Sequence, residues 1–76
     1  MSEVEWLDIF SANLVDALKD ANMTQRELAD DCGLSESIIS DYVHGKKIPG
    51  LKAIINISYS LDCTIDDLID FGERII

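Results

Sequence analysis

The stretch Met23-Thr24-Gln25-Arg26-Glu27-Leu28-Ala29-Asp30-Asp31-Cys32-Gly33-Leu34-Ser35-Glu36-Ser37-Ile38-Ile39-Ser40-Asp41-Tyr42-Val43 decides how the rest of the chain is read. Thr24 followed three residues later by Glu27 is a capping box, in which each side chain takes up an orphan amide of a helix's first turn. Met23 and Leu28 are placed to flank that start as a hydrophobic staple. Leu28, the small Ala29 and Cys32 then face inward. Gly33 ends the helix, because the left-handed residue that closes a helix favours glycine. Ser35 caps a second helix. Ile39 with Tyr42 or Val43 forms its inner face, and Gly45 stops it. Only Gly33 and Leu34 lie between the two helices, so they cross steeply.

Toward the N-terminus, Leu7, Phe10, Leu14 and Leu18 recur at spacings of three and four. They mark one face of a helix from about Val4 to Ala21. Trp6 and Ile9 extend the stripe, and Glu3, Glu5 and Asp8 suit the positive end of the helix dipole. Toward the C-terminus, Leu51 to Leu61 fits two periods. Ile55, Ile57, Tyr59 and Leu61 alternate with polar residues as a strand would, and β-branched residues favour that reading. Leu51, Ile54, Ser58 and Leu61 fit a helix. A lone strand has no partner in a helical chain, so a helix is expected. A fifth helix from about Thr64 to Phe71 opens with a Thr64/Asp67 box and turns Ile65, Leu68 and Ile69 inward. Gly72 to Ile76 form a tail.

With 76 residues, 47% of them hydrophobic and 28% charged, the chain is one folded domain, residues 1–76. A chain this short buries about 60% of the surface it exposes when unfolded, so its core is thin and a deep catalytic cleft is not expected. No nucleophile stands beside a positioned base and no glycine-rich loop cradles phosphate. The pairs Asp30-Asp31 and Asp66-Asp67 are adjacent on helices and point to different sides. The chain is therefore read as no enzyme and as needing no cofactor. His44 has no ligand cluster around it, so no metal site is expected. Cys32 and Cys63 read as reduced core thiols of a cytosolic protein. The acidic start Met1-Ser2-Glu3-Val4-Glu5 is no signal peptide, and the charge-free run Ala53–Leu61 is too short to span a bilayer. A cytoplasmic protein without a membrane partner is expected.

The formal charge is 6 − 15 = −9, but it is unevenly spread. Residues 1–43 carry two cations against ten acids, a net of −8. Residues 44–61 carry Lys46, Lys47 and Lys52 and no acid, a net of +3. Residues 62–76 carry Arg74 against five acids, a net of −4. A small basic island, with His44 at its edge, thus follows the second capped helix.

Two capped helices joined by a short glycine turn form a helix-turn-helix, about residues 24–43. In such a motif the first helix braces on the DNA backbone and the second presents its outward residues to the major groove. The residues Met23-Thr24-Gln25-Arg26-Glu27-Leu28-Ala29, Gly33-Leu34-Ser35, Ile39-Ser40-Asp41-Tyr42, Gly45, Pro49 and Leu51 resemble the Cro/C1-type (lambda repressor-like, XRE family) helix-turn-helix domain. Ile54, Ile57, Leu61, Thr64 and Leu68 fall where that family places its closing two helices. The resemblance covers about residues 6–70. It implies an all-α, five-helix lambda repressor-like fold and a sequence-specific DNA-binding transcriptional regulator of the phage-repressor type, usually a dimer.

Position by position, the resemblance makes Gln25 the residue that holds a phosphate and braces the recognition helix. Thr24 matches the cap, whose exposed amides also suit a phosphate. Ser35, Glu36, Ser37 and Asp41 match the positions facing bases or sugars, with Ser40 nearer the flank. His44, Lys46 and Lys47 match the loop that touches the DNA backbone, while Gly33, Ile39, Tyr42, Leu51 and Ile54 match structural positions. The apolar end, Phe71 with Ile75 and Ile76, is the expected homodimer patch.

The chain departs from the family where Gln, Arg, Lys or Asn is usual on the recognition helix and Glu36 and Asp41 stand instead. Phosphates repel carboxylates, although a carboxylate accepts a hydrogen bond from the cytosine N4 amino group. The acidic helix and the −9 charge also suit an alternative on the same fold. This is a protein-interaction module such as an antirepressor, an antitoxin-like partner or an adaptor.

Overall fold

A computed structural model describes residues 3–69, with side chains described from Trp6 onward. Five α-helices follow one another: α1 (Glu3–Asp20), α2 (Gln25–Cys32), α3 (Glu36–Val43), α4 (Leu51–Ser60) and α5 (Ile65–Ile69). Among the described residues there is no strand. The expected all-α, five-helix fold is the one observed. The proposed dimer residues Phe71, Ile75 and Ile76 lie outside the described residues.

Every helix contributes to one core. Phe10, Leu14 and Leu18 of α1 meet Leu28 and Ala29 of α2, Ile39 and Tyr42 of α3, Ile54 and Ile57 of α4, Leu61, and Leu68 of α5. Phe10, Leu14, Leu28, Ile39, Ile57 and Leu68 are fully enclosed, each worth roughly 1.5–3 kcal/mol of apolar burial. Trp6 stacks on Phe10 with ring centroids 5.6 Å apart, and Phe10 meets Tyr42 edge-on at 6.1 Å. The short α5 is held by Leu68 and by Asn13 of α1, whose Nδ2 donates to the Leu68 carbonyl at 2.9 Å. Its start is the expected reciprocal box of Thr64 and Asp67.

The ambiguous fourth segment is a helix. Ile54, Ile57, Ser58 and Leu61 turn inward, and Tyr59, a member of the strand pattern, is 83% exposed. Ser58 is buried without penalty because its hydroxyl donates to the Ile55 carbonyl at 2.7 Å. Leu51 departs from its expected structural position and is 69% exposed. It is the first residue of α4, before the helix turns its apolar face onto the core.

Gly33 takes the predicted left-handed conformation, φ 69°, and its amide donates back to Asp30. Asn22 (φ 54°) and Asp62 (φ 53°) do the same work after α1 and α4 without being glycine. Met23 and Cys63 close those ends by donating to the carbonyls of Leu18 and Ser58. Cys63 and Cys32 are both free thiols and half-buried. Burial pushes the Cys63 thiol above its ordinary range, with Asp67 and Asp62 adding to it. Cys32 Sγ lies 3.3 Å from the Ser60 hydroxyl.

Candidate nucleic-acid interface

The first turn of α2 is fixed by its own side chains. Thr24 Oγ1 accepts from the Glu27 amide at 3.1 Å, and the Thr24 amide donates to Glu27 Oε1 at 2.9 Å. The Thr24 backbone amide, first, and then its hydroxyl hold the Glu27 carboxyl below the usual carboxylate range. The amide of Thr24 is therefore already taken up within the box. The amides of Gln25 and Arg26, in the same turn, have no partner among the described residues.

Gln25 is half-buried and Thr24 exposed. Both line a shallow groove of about 490 Å³ with Val15, Leu18 and Lys19 of α1 and Val43 of α3. Gln25, the first residue of α2, thus lies beside Val43 at the end of α3 in this groove. Lys19 and Thr24, five residues apart across the turn that ends α1, line the same groove.

In α3, Ser35 Oγ accepts from the Ile38 amide at 3.1 Å, so the expected N-cap forms. Ser35, Glu36 and Ser37 are exposed, and Ser40 and Asp41 are half-exposed, on the side away from buried Ile39 and Tyr42. Ile38 is half-buried and packs on the core. Neither the Glu36 nor the Asp41 carboxylate has a partner among the described residues. Burial pushes the Tyr42 hydroxyl above its ordinary range.

The basic loop hangs from the end of α3. The Lys46 amide donates to the Asp41 carbonyl at 2.8 Å, and Gly45 turns the chain at φ 67°. Ser11 of α1 donates to the Tyr42 carbonyl at 2.8 Å and ties the same corner to the body. A Cβ at Gly45 would sit 3.3 Å from the Ser11 hydroxyl. Ser11, 31 residues from Tyr42, is a support the sequence did not disclose. His44 Nδ1 donates to the Ser40 carbonyl at 2.7 Å, so this nitrogen carries a proton. Lys46 and Lys47 are exposed and form no ion pair among the described residues. The lysine loop thus follows the C-terminal end of α3, and Thr24 and Gln25 share a groove with Val43 at that same end. No group of acids, His or Cys among the described residues is arranged to hold a metal ion.

The profile of the Cro/C1-type HTH DNA-binding domain matches residues 13–73. The chain belongs to that family. A relative described as an uncharacterized HTH-type transcriptional regulator, YqaE of Bacillus subtilis (strain 168), is 36% identical over 61 residues, which are 80% of this chain and 53% of that protein. The chain thus spans about half the length of the curated relative it matches. Among solved structures, the solution structure of the SOS-response transcriptional repressor LexA from Eubacterium rectale is similar, with a TM-score of 0.83 and 25% identity. That match covers 100% of this chain and 81% of the LexA chain. Both relatives are named as transcriptional regulators, in line with the DNA-binding expectation. The interaction-module alternative is not favoured by them. Cro/C1-type membership is a DNA-binding family and not a known enzyme family. No helix among the described residues is long and apolar enough to cross a membrane.

Proposed function

We propose that this Cro/C1-type chain is a sequence-specific DNA-binding transcriptional regulator whose α3 enters the major groove of double-stranded DNA. In this reading Ser35, Glu36, Ser37 and Asp41 face bases or sugars, and Ser40 lies at the flank. Thr24 and Gln25 at the start of α2, and His44, Lys46 and Lys47 in the loop after α3, meet the phosphate backbone. The observation that carries the reading is the exposed outward face of α3, followed in the chain by two exposed lysines that form no ion pair among the described residues. The groove of B-DNA is wide enough for one such helix.

The protein acts in the cytoplasm, catalyses nothing and binds as a homodimer through Phe71, Ile75 and Ile76. Two copies of α3 then sit about 34 Å apart on a palindromic site. The −9 charge slows encounter with DNA by long-range repulsion, so binding rests on the few cations placed at the surface. Selection from random duplexes at low salt, followed by gel shift, tests this. An enriched palindromic site supports the reading, and recovery of no site refutes it.

A further inference from the structure

The recognition helix is unusual in what it lacks. From Ser35 to Val43 there is no Arg, Lys, Asn or Gln. The bidentate donors that read guanine O6 and N7, and the amides that read adenine N6 and N7, are therefore absent from this helix. The outward side chains are three serine hydroxyls (Ser35, Ser37 and Ser40) and the carboxylates of Glu36 and Asp41, both unpartnered among the described residues. A carboxylate only accepts. In the major groove, guanine O6 and N7 and thymine O4 are acceptors and repel it. Adenine offers its N6 amino group but sets the N7 lone pair beside it. Cytosine offers the N4 amino group with no acceptor of its own on that edge.

We infer that Glu36 and Asp41 are specificity-determining residues that each accept a hydrogen bond from the N4 amino group of a cytosine. The half-site bound by this protein is therefore defined by two C·G pairs. The inference rests on the reading of α3 as the groove-entering helix and deepens it. Glu36 and Asp41 are five positions apart, about 7.5 Å along the helix axis. Five residues also turn the helix by about 140°, so the two carboxylates point in different directions and reach different base pairs rather than one. The arrangement also explains how an acidic helix is tolerated. Each carboxylate stands at a base edge, where it meets a donor, while the flanking lysines take the phosphates.

The test is selection from random duplexes with the full chain and with Glu36→Gln and Asp41→Asn, followed by competition binding. The wild-type chain is expected to enrich two cytosines at separate positions of the half-site. Glutamine and asparagine prefer adenine, so each variant should convert one cytosine to adenine and leave the other. The ratio of affinities for the cytosine and adenine sites should change by about 5- to 150-fold at the converted position. That ratio cancels the general strengthening from loss of a negative charge. A second measurement needs no variant: placing N4-methylcytosine at either position removes the groove-facing donor and should weaken wild-type binding over a similar range. A wild-type motif without the paired cytosines, or variants that keep the wild-type motif, overturns the inference while leaving α3 as the DNA-binding helix. Recovery of no motif overturns the DNA-binding reading itself, and the inference with it.

Discussion

Replacing Lys46 and Lys47 together by alanine addresses the weakest point of an acidic DNA-binding protein, its supply of positive charge. Both lysines are exposed and free of ion pairs among the described residues, so neither has a carboxylate to lose and the fold should be indifferent. Each lysine that meets a phosphate releases condensed counterions. It contributes about 0.9 to the slope of log K against log salt. The pair then accounts for about 1.8 of slope per protomer and about 3.6 for a dimer. Referred to 1 M salt, the same release is worth about 1.8 decades of affinity per protomer at 0.1 M, or roughly 2.5 kcal/mol. Fluorescence anisotropy on a selected duplex, titrated from about 0.05 to 0.2 M salt, reads the slope directly. Circular dichroism confirms that the helices persist. An unchanged slope in the double variant would refute the assignment of this loop to phosphate contact, whatever happens to the affinity at one salt concentration.

Other outcomes follow from the local geometry. Thr24→Ala breaks the reciprocal box and should cost about 1 kcal/mol of stability, read from the urea midpoint. The folded Glu27 carboxyl lies below its ordinary value. Its contribution is therefore present above the unfolded pKa and lost as pH falls through the folded one. Glu27→Gln should flatten that part of the acid limb of a stability–pH curve. Gly33→Ala and Asp62→Gly should move stability in opposite directions. The first forces a Cβ onto a φ of 69° with nothing within 4 Å to clash, a pure backbone cost of roughly 1–2 kcal/mol. The second relieves a non-glycine residue at φ 53°, and thermal melts of both variants check the signs. Ile57→Ala, at a fully enclosed position, should cost about 2–5 kcal/mol in denaturant unfolding.

The motif was legible because its signals are short-range. A box such as Thr24/Glu27, a cap such as Ser35 and a left-handed Gly33 act within four residues, and each forms as expected. Leu51 to Leu61 was harder because isoleucine falls on both faces of the segment. Only packing shows that Ile54 and Ile57 are wanted inside while Leu51 and Tyr59 are not. The breakers read from the sequence were glycines and a proline. Asn22 and Asp62 end α1 and α4 with side chains that tolerate the left-handed region, a weaker compositional signal. The corner joining Ser11 to Tyr42 is a long-range fact. It exists only after α1 has been laid across the motif.

The closed pairing of Thr24 with Glu27 bears on what happens when duplex and protein collide. Two neighbouring N–H groups, those of Gln25 and Arg26, have no partner among the described residues, in a turn that the box already closes. Under the proposed DNA-binding reading, a phosphate arriving at this turn needs no rearrangement of it, so little of the free energy of association is spent on ordering the chain. For a molecule whose overall charge works against the encounter, such readiness lengthens the life of each contact once it is made.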